Sequence, residues 1–299
     1  MWNKFLNLFH LLYIFAILRI RMRKISSMKI IRKGWYTMEK KLTGKTCIVT
    51  GAARGIGKAL ATKYAEQGAN VVLMDLNKEM VEATAKEISD LGAIVLPLVL
   101  NVTSSQEINE AIKEIESHFT KIDILANCAG ISTSRLILDI EETEWDAVFN
   151  VNLKSVYLLS KAVGKNMIKN EVENGKIVSI SSQASKVGEL GNGAYCASKA
   201  GLNSLTQVLA LELDQYGISV NAVCPGFVDT EMLQEVFQKR SSIEGKTPAE
   251  YEELLTSQVP MGRLAKPSEI ADLMLFLSSE SANYITGTAM TIAGGKTLI

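Results

Sequence analysis

From Leu42 onward, short unbroken apolar runs alternate with longer stretches in which apolar residues recur every three or four positions. The short runs predict strands at 46–50, 70–75, 94–99, 122–126, 176–180, 219–224 and 289–292. The periodic stretches predict helices near 57–67, 78–91, 104–118, 144–169, 195–216 and 268–279. These strands are continuous and rich in Val and Ile, the pattern of strands covered on both faces. Strand–helix alternation then implies a parallel sheet of about seven strands with helices on either side. No internal repeat or low-complexity linker interrupts the pattern, and there are only five prolines. One doubly wound α/β domain over 38–299 is the expected architecture. Helix-period pieces at 232–240 and 248–255, bounded by loop signals, predict a mobile substrate lid over about 227–258.

Chemistry enters at the first strand–helix junction. The strand at 46–50 runs into Gly51-Ala52-Ala53-Arg54-Gly55-Ile56-Gly57 and then into a helix. Strand, glycine-rich turn and helix start are the context of a Rossmann-type dinucleotide site. Gly51 permits the sharp turn, Gly55 clears backbone for a pyrophosphate, and Gly57 lets helix and strand pack closely. Unpaired N–H groups of the helix start face the phosphates. The spacing is G-x-x-x-G-x-G, unlike the G-x-G-x-x-G of other nucleotide folds; glycines serving only a tight turn are the competing reading. At the end of the second predicted strand, Asp75 stands where the adenosine ribose should lie. A carboxylate there accepts from both ribose hydroxyls and repels a 2′-phosphate, which favours NAD over NADP. Arg54 is the opposing signal, since a cation in the loop could meet that phosphate.

A second constellation is Tyr195 and Lys199, four residues apart and on one helix face. A free tyrosine titrates near ~10. An ammonium ~5 Å away at an effective dielectric of ~20 favours the phenolate by roughly 3 kcal/mol, about two pKa units. An ordinary amphipathic helix would carry the same pair by chance.

Taken together, Thr50 to Gly57, Asn127-Cys128-Ala129-Gly130, Asn152, Ser182, Tyr195-x-x-x-Lys199 and Pro225-Gly226 resemble the short-chain dehydrogenase/reductase family, in its order and at its intervals, from Met38 to the C-terminus. The resemblance implies that Tyr195 exchanges a proton with the substrate oxygen and that Ser182, thirteen residues earlier, polarises that oxygen, with Ser181 pointing the other way. Lys199 is implied to lower the Tyr195 pKa and to bind the nicotinamide ribose, and Asn152 to hold a water linking Lys199 to solvent. Asn101-Val102 takes the place of the family's adenine-holding Asp-Val pair, with Asn replacing Asp. Asn127 is implied to brace the sheet and ribose region, beside Ala129. Pro225, Val228 and Thr230 are implied to lie along the nicotinamide carboxamide. A second departure is Ala293, where the family often carries Asp. Family habit suggests a homotetramer.

Composition narrows the rest. The chain is 47% hydrophobic and 21% charged, with 32 basic and 32 acidic residues, so nucleic acid is not an expected partner. Four cysteines show neither C-x-x-C nor zinc-ligand spacing; no metal site and a reducing cytoplasm are expected. His10 and His118, the only histidines, lie away from the motifs, which disfavours histidine acid/base and zinc dehydrogenases. The first 37 residues hold an apolar run, Phe5 to Ile20, followed by a basic cluster. They read as an upstream extension before a start at Met38, or as a weak membrane-surface segment. Lys239 and Arg240 fall in the lid, either as a solvated charged face or as a phosphate contact. The sequence thus predicts an NAD-dependent oxidoreductase of a secondary alcohol or its ketone, in the manner of polyol and small-diol dehydrogenases. The rivals are a 3-oxoacyl thioester reductase using NADPH and a non-catalytic nucleotide-sensing protein.

Overall fold

The structure, a computed structural model, describes residues 40–298. The expectations for residues 1–37 lie outside the described residues. Seven strands form: β1 (Thr46–Thr50), β2 (Asn70–Asp75), β3 (Val95–Val99), β4 (Ile124–Asn127), β5 (Gly175–Ile180), β6 (Ile218–Pro225) and β7 (Ala289–Ile292). They pair in parallel in the order β3-β2-β1-β4-β5-β6-β7. Period-two alternation sends successive side chains to opposite faces. Cys47, Val49, Val71, Leu73, Ile124 and Ala126 enter one core, whereas Ile48, Val72, Met74 and Leu125 enter the other. Both sets are apolar because both faces are covered, which is why the strands read as unbroken runs. Each large side chain buried this way stabilises the fold by ~1.5–3 kcal/mol.

The first core is roofed by α1 (Gly55–Glu66), α2 (Lys78–Ser89) and α9 (Pro267–Leu277). The second is roofed by α3 (Ser105–His118), α5 (Ser155–Lys169) and α6 (Gly193–Leu213). Local chemistry sets several helix starts: Asn77 accepts from the Met80 N–H, and Ser104 from the Glu107 N–H.

Most boundaries fall within a few residues of the sequence expectation, and two of the differences have a clear local cause. The helix expected over 144–169 is α4 (Glu142–Phe149), a wider π turn (Asn150–Lys154) and α5. Such a turn inserts an extra residue into the helical ladder, a feature that periodicity alone does not reveal. The fourth strand begins later than 122. Ile122 N–H instead donates to Asn166 Oδ1, and the Asp123 carboxylate takes the Thr46 N–H at 2.9 Å.

Two further helices, α7 (Glu231–Ile243) and α8 (Pro248–Ser257), occupy the segment expected to form the lid. They have a small core of their own, in which Phe237 meets Tyr251 edge-on at 6.2 Å beside Leu255. A clasp joins the two ends of this segment: Asp229 N–H donates to Ala265 O, and Ala265 N–H donates to Phe227 O, both at 2.9 Å. Chain order reverses between β1 and β4, and the carboxyl ends of these strands diverge into a crevice. No helix among the described residues is long and apolar enough to cross a membrane.

Candidate active site

The crevice is a cleft of about 470 Å³ running from the β1 turn, past the ends of β4 and β5, to α7 and α8. At its floor, Gly51 adopts a left-handed φ of 61°, and a side chain there would meet Ala129 backbone at 2.9 Å. A Cβ on Gly57 would stand 2.1 Å from the Gly51 carbonyl oxygen, so only glycine lets α1 begin against the turn. The close approach expected between helix and strand is thus between helix and turn. Thr50 Oγ1 accepts from the Cys128 and Ala129 N–H groups at 3.0 and 3.1 Å, tying β1 to the turn after β4. Unlike α2 and α3, α1 has no side-chain cap. Its first turn therefore presents free N–H donors and the positive end of the helix dipole beside the cleft. A glycine-cleared cradle at an uncapped helix start fits a pyrophosphate.

Asp75 lines the cleft at the end of β2 and is held on both oxygens. Oδ2 accepts from Ala53 N–H and Oδ1 from Asn77 N–H, each at 3.0 Å. Arg54 lines the cleft too, but its guanidinium is paired with Glu231 at the start of α7. Asn101 and Val102 follow β3 into the same wall. The Asn101 amide oxygen already accepts from the Thr103 N–H (3.0 Å) and hydroxyl (2.8 Å), a local turn that engages the group expected to serve adenine.

At the centre, Ser182, Tyr195 and Lys199 converge from β5 and α6. Lys199 is buried, donates to Ile180 O at 2.7 Å, and sits 5.6 Å from the Tyr195 ring centroid. Burial lowers the Lys199 ammonium to about 8. Burial likewise pushes the Tyr195 phenol up to about 12, against the downward pull of its hydrogen bond with Ser182. The sequence argument expected the ammonium to depress this phenol. Among the protein's own groups desolvation of the buried phenol is the largest influence. The Ser181 hydroxyl is engaged by Lys199 O, to which it donates at 3.2 Å.

Asn152 and Asn127 lie behind the cleft lining. Asn152, in the π turn, is fully buried; its amide bonds both the N–H and the C=O of Ile131 at 2.9 Å, and also the Ser198 hydroxyl. It thereby fixes the Gly130–Ile131 wall. Asn127 donates to Ser179 Oγ across β4 and β5 at 3.1 Å. Gly55, Ile56, Pro225, Val228 and Thr230 line the cleft. The Thr230 hydroxyl also accepts from Leu233 N–H, capping α7.

Sequence reasoning missed Gln183, Glu189 and Asn192, and Arg240 is no solvated residue. Arg240 is 5% exposed and reaches from α7 to Glu189, in a loop whose three-dimensional partners carry no sequence motif.

The chain is similar to known proteins over nearly all of the described region. The family model described as "Enoyl-(Acyl carrier protein) reductase" matches residues 51–297. A 3-oxoacyl-(acyl-carrier-protein) reductase of Thermotoga maritima is 41% identical over 255 residues, covering 85% of this chain and 98% of that protein. An NAD-dependent glycerol dehydrogenase of Listeria innocua is 39% identical over 257 residues, covering 86% and 95%. Among solved structures, a short-chain type dehydrogenase/reductase from Mycobacterium marinum superposes with a TM-score of 0.80 at 30% identity, covering 87% of this chain and 98% of that one.

Proposed function

The chain belongs to the short-chain dehydrogenase/reductase family, and on that premise we propose that it is an NAD-dependent dehydrogenase of secondary alcohols whose substrate is a polyol or small diol. Family membership makes it an oxidoreductase of CH–OH or carbonyl groups that uses a nicotinamide dinucleotide. The observation carrying the choice of NAD is Asp75, an ionisable carboxylate pinned by two backbone N–H groups at the rim where the ribose would lie. The pairing of Arg54 with Glu231 supports the same choice, because it occupies the cation a 2′-phosphate would need.

The turn Gly51–Gly57 and the uncapped start of α1 would hold the pyrophosphate, Asp75 the adenosine ribose, Val102 the adenine, and Val228 and Thr230 the nicotinamide end. The bound dinucleotide supplies or accepts the hydride. Ser182 Oγ then holds the substrate oxygen, and Tyr195 Oη gives it a proton during reduction or removes one during oxidation. Lys199 offsets charge on the phenol as that proton moves. Asn152 positions the Gly130–Ile131 wall next to it. Helices α7 and α8 serve as the lid that excludes water over the substrate. All four cysteines are free, which supports a reducing cytoplasm. Leu211, 82% exposed on α6, offers apolar surface to a subunit contact in a homotetramer.

Reduction of a 3-oxoacyl thioester is the second reading, favoured by the Thermotoga maritima relative. Turnover of NAD and NADP with glycerol, butane-2,3-diol and a 3-hydroxyacyl thioester separates the two. A preference for NADP with the thioester overturns the first reading. Tyr195→Phe should cut turnover by roughly 10²–10⁴-fold while cofactor affinity is retained. Retained turnover would reject the assigned acid/base.

A further inference from the structure

The lid contributes one charged group whose burial the chemistry above does not use. Arg240 lines the cleft from α7, and its Nε is buried with no hydrogen-bond partner among the described residues. One guanidinium nitrogen donates to Glu189 Oε2 at 3.2 Å. The same oxygen accepts from Asn192 Nδ2 at 2.9 Å, and Glu189 Oε1 accepts from Gln183 Nε2 at 3.3 Å. These anchors bracket the reacting end of the cleft. Gln183 follows Ser182 in the chain, and Asn192 flanks the first turn of α6, which carries Tyr195. The Tyr195 phenol also feels both charges, Glu189 raising its pKa and Arg240 lowering it.

A buried charged donor without an acceptor is costly, and a ligand oxygen that takes it up recovers that cost. A carboxylate offers about four lone-pair positions. Three donors already sit on Glu189, so one position remains for a ligand O–H. The pair as a whole is neutral. A second carboxylate brought to Arg240 would face the Glu189 charge, whereas a hydroxyl can accept from Arg240 Nε and donate to Glu189 together. We propose that Arg240 and Glu189 clamp a neutral oxygen on the carbon next to the reacting one, so that the substrate class is a vicinal diol or its α-hydroxyketone. This rests on the placement of Ser182 and Tyr195 at the reacting carbon. A 3-oxoacyl thioester carries a methylene at the adjacent carbon and leaves Nε unpaired.

The test compares kcat/KM for butane-2,3-diol and butan-2-ol, with NAD, in the full-length enzyme. The wild type should prefer the diol by at least about 10²-fold, because the analogue leaves two charged groups without their hydrogen-bond partner. Arg240→Met should reduce that preference to less than about tenfold. Glu189→Gln, which keeps the shape and the acceptor, should weaken it less and should not raise turnover of lactate. If Glu189→Gln creates or raises lactate turnover, the clamp is for a carboxylate and the proposal is wrong. Turnover of both alcohols without a diol preference, or a preference untouched by Arg240→Met, overturns the clamp and leaves the dehydrogenase reading standing. Absence of nicotinamide-linked turnover with either alcohol overturns both.

Discussion

Replacing Asp75 by Asn tests the cofactor argument most directly. The change keeps the size of the side chain and one acceptor for the Ala53 or Asn77 N–H, each now 3.0 Å from a carboxylate oxygen. It removes the charge. At ~5 Å and an effective dielectric of ~20, a carboxylate repels each unit of phosphate charge by roughly 3 kcal/mol. Asp75 is half-buried at the rim, and solvent screening reduces this to about 1–2 kcal/mol. On the NAD side, a hydroxyl bonded to a neutral amide in place of a carboxylate loses about 1 kcal/mol. The two effects reinforce each other, so the NAD-to-NADP ratio of kcat/KM should fall by roughly 30- to 200-fold. Adding Glu231→Gln frees Arg54 from its ion pair and should push the ratio further toward NADP. The assay is initial-rate kinetics with one alcohol and both cofactors. A ratio that moves less than about threefold, or a wild type that already prefers NADP, refutes the reasoning.

Three other outcomes follow from the geometry. Because Lys199 titrates near 8 when folded and at 10.5 when unfolded, the unfolded chain binds the extra proton in between; its contribution to stability therefore rises with pH across that window, up to roughly 3 kcal/mol. Tyr195 runs the other way, its contribution falling as pH rises from 10 to about 12, and urea melts of wild type and Lys199→Met in parallel should show the lysine component only in the former. Gly57→Ala drives a methyl into the Gly51 carbonyl and should cost about 3 kcal/mol and abolish dinucleotide binding, read by denaturant melts and by cofactor fluorescence titration. Phe237→Ala removes the centre of the small core shared by α7 and α8, a loss of ~3–5 kcal/mol felt locally. Hydrogen exchange should therefore accelerate across 231–257 and KM should rise, while the sheet exchanges as before.

Most of this fold is legible in the sequence because one physical fact, strands buried on both faces, produces both the apolar runs and the parallel sheet. The ends of β1, β2 and β7 fall where the pattern puts them. The π turn does not show, since Asn150 to Lys154 is as compatible with an α-helix as with the wider turn that buries Asn152. At the site, motifs with fixed local spacing, such as Gly51 to Gly57 and Tyr195 with Lys199, could be read directly. The Arg240–Glu189 contact joins residues 51 apart in sequence, and nothing local marks it. For a related reason the sequence argument weighs the charge on Lys199 but not the burial that pushes the Tyr195 phenol up. Charge spacing is visible along a chain, but desolvation is a property of everything packed around it.

The clasp from Phe227 and Asp229 to Ala265 has an evolutionary implication. Since it closes the base of α7 and α8 with main-chain atoms alone, side chains on the helices inside it can be exchanged while the closure itself persists. Selectivity toward new alcohols can then be sampled by rewriting one loop-bounded cassette, while the hydride-transfer platform beneath it is inherited unaltered.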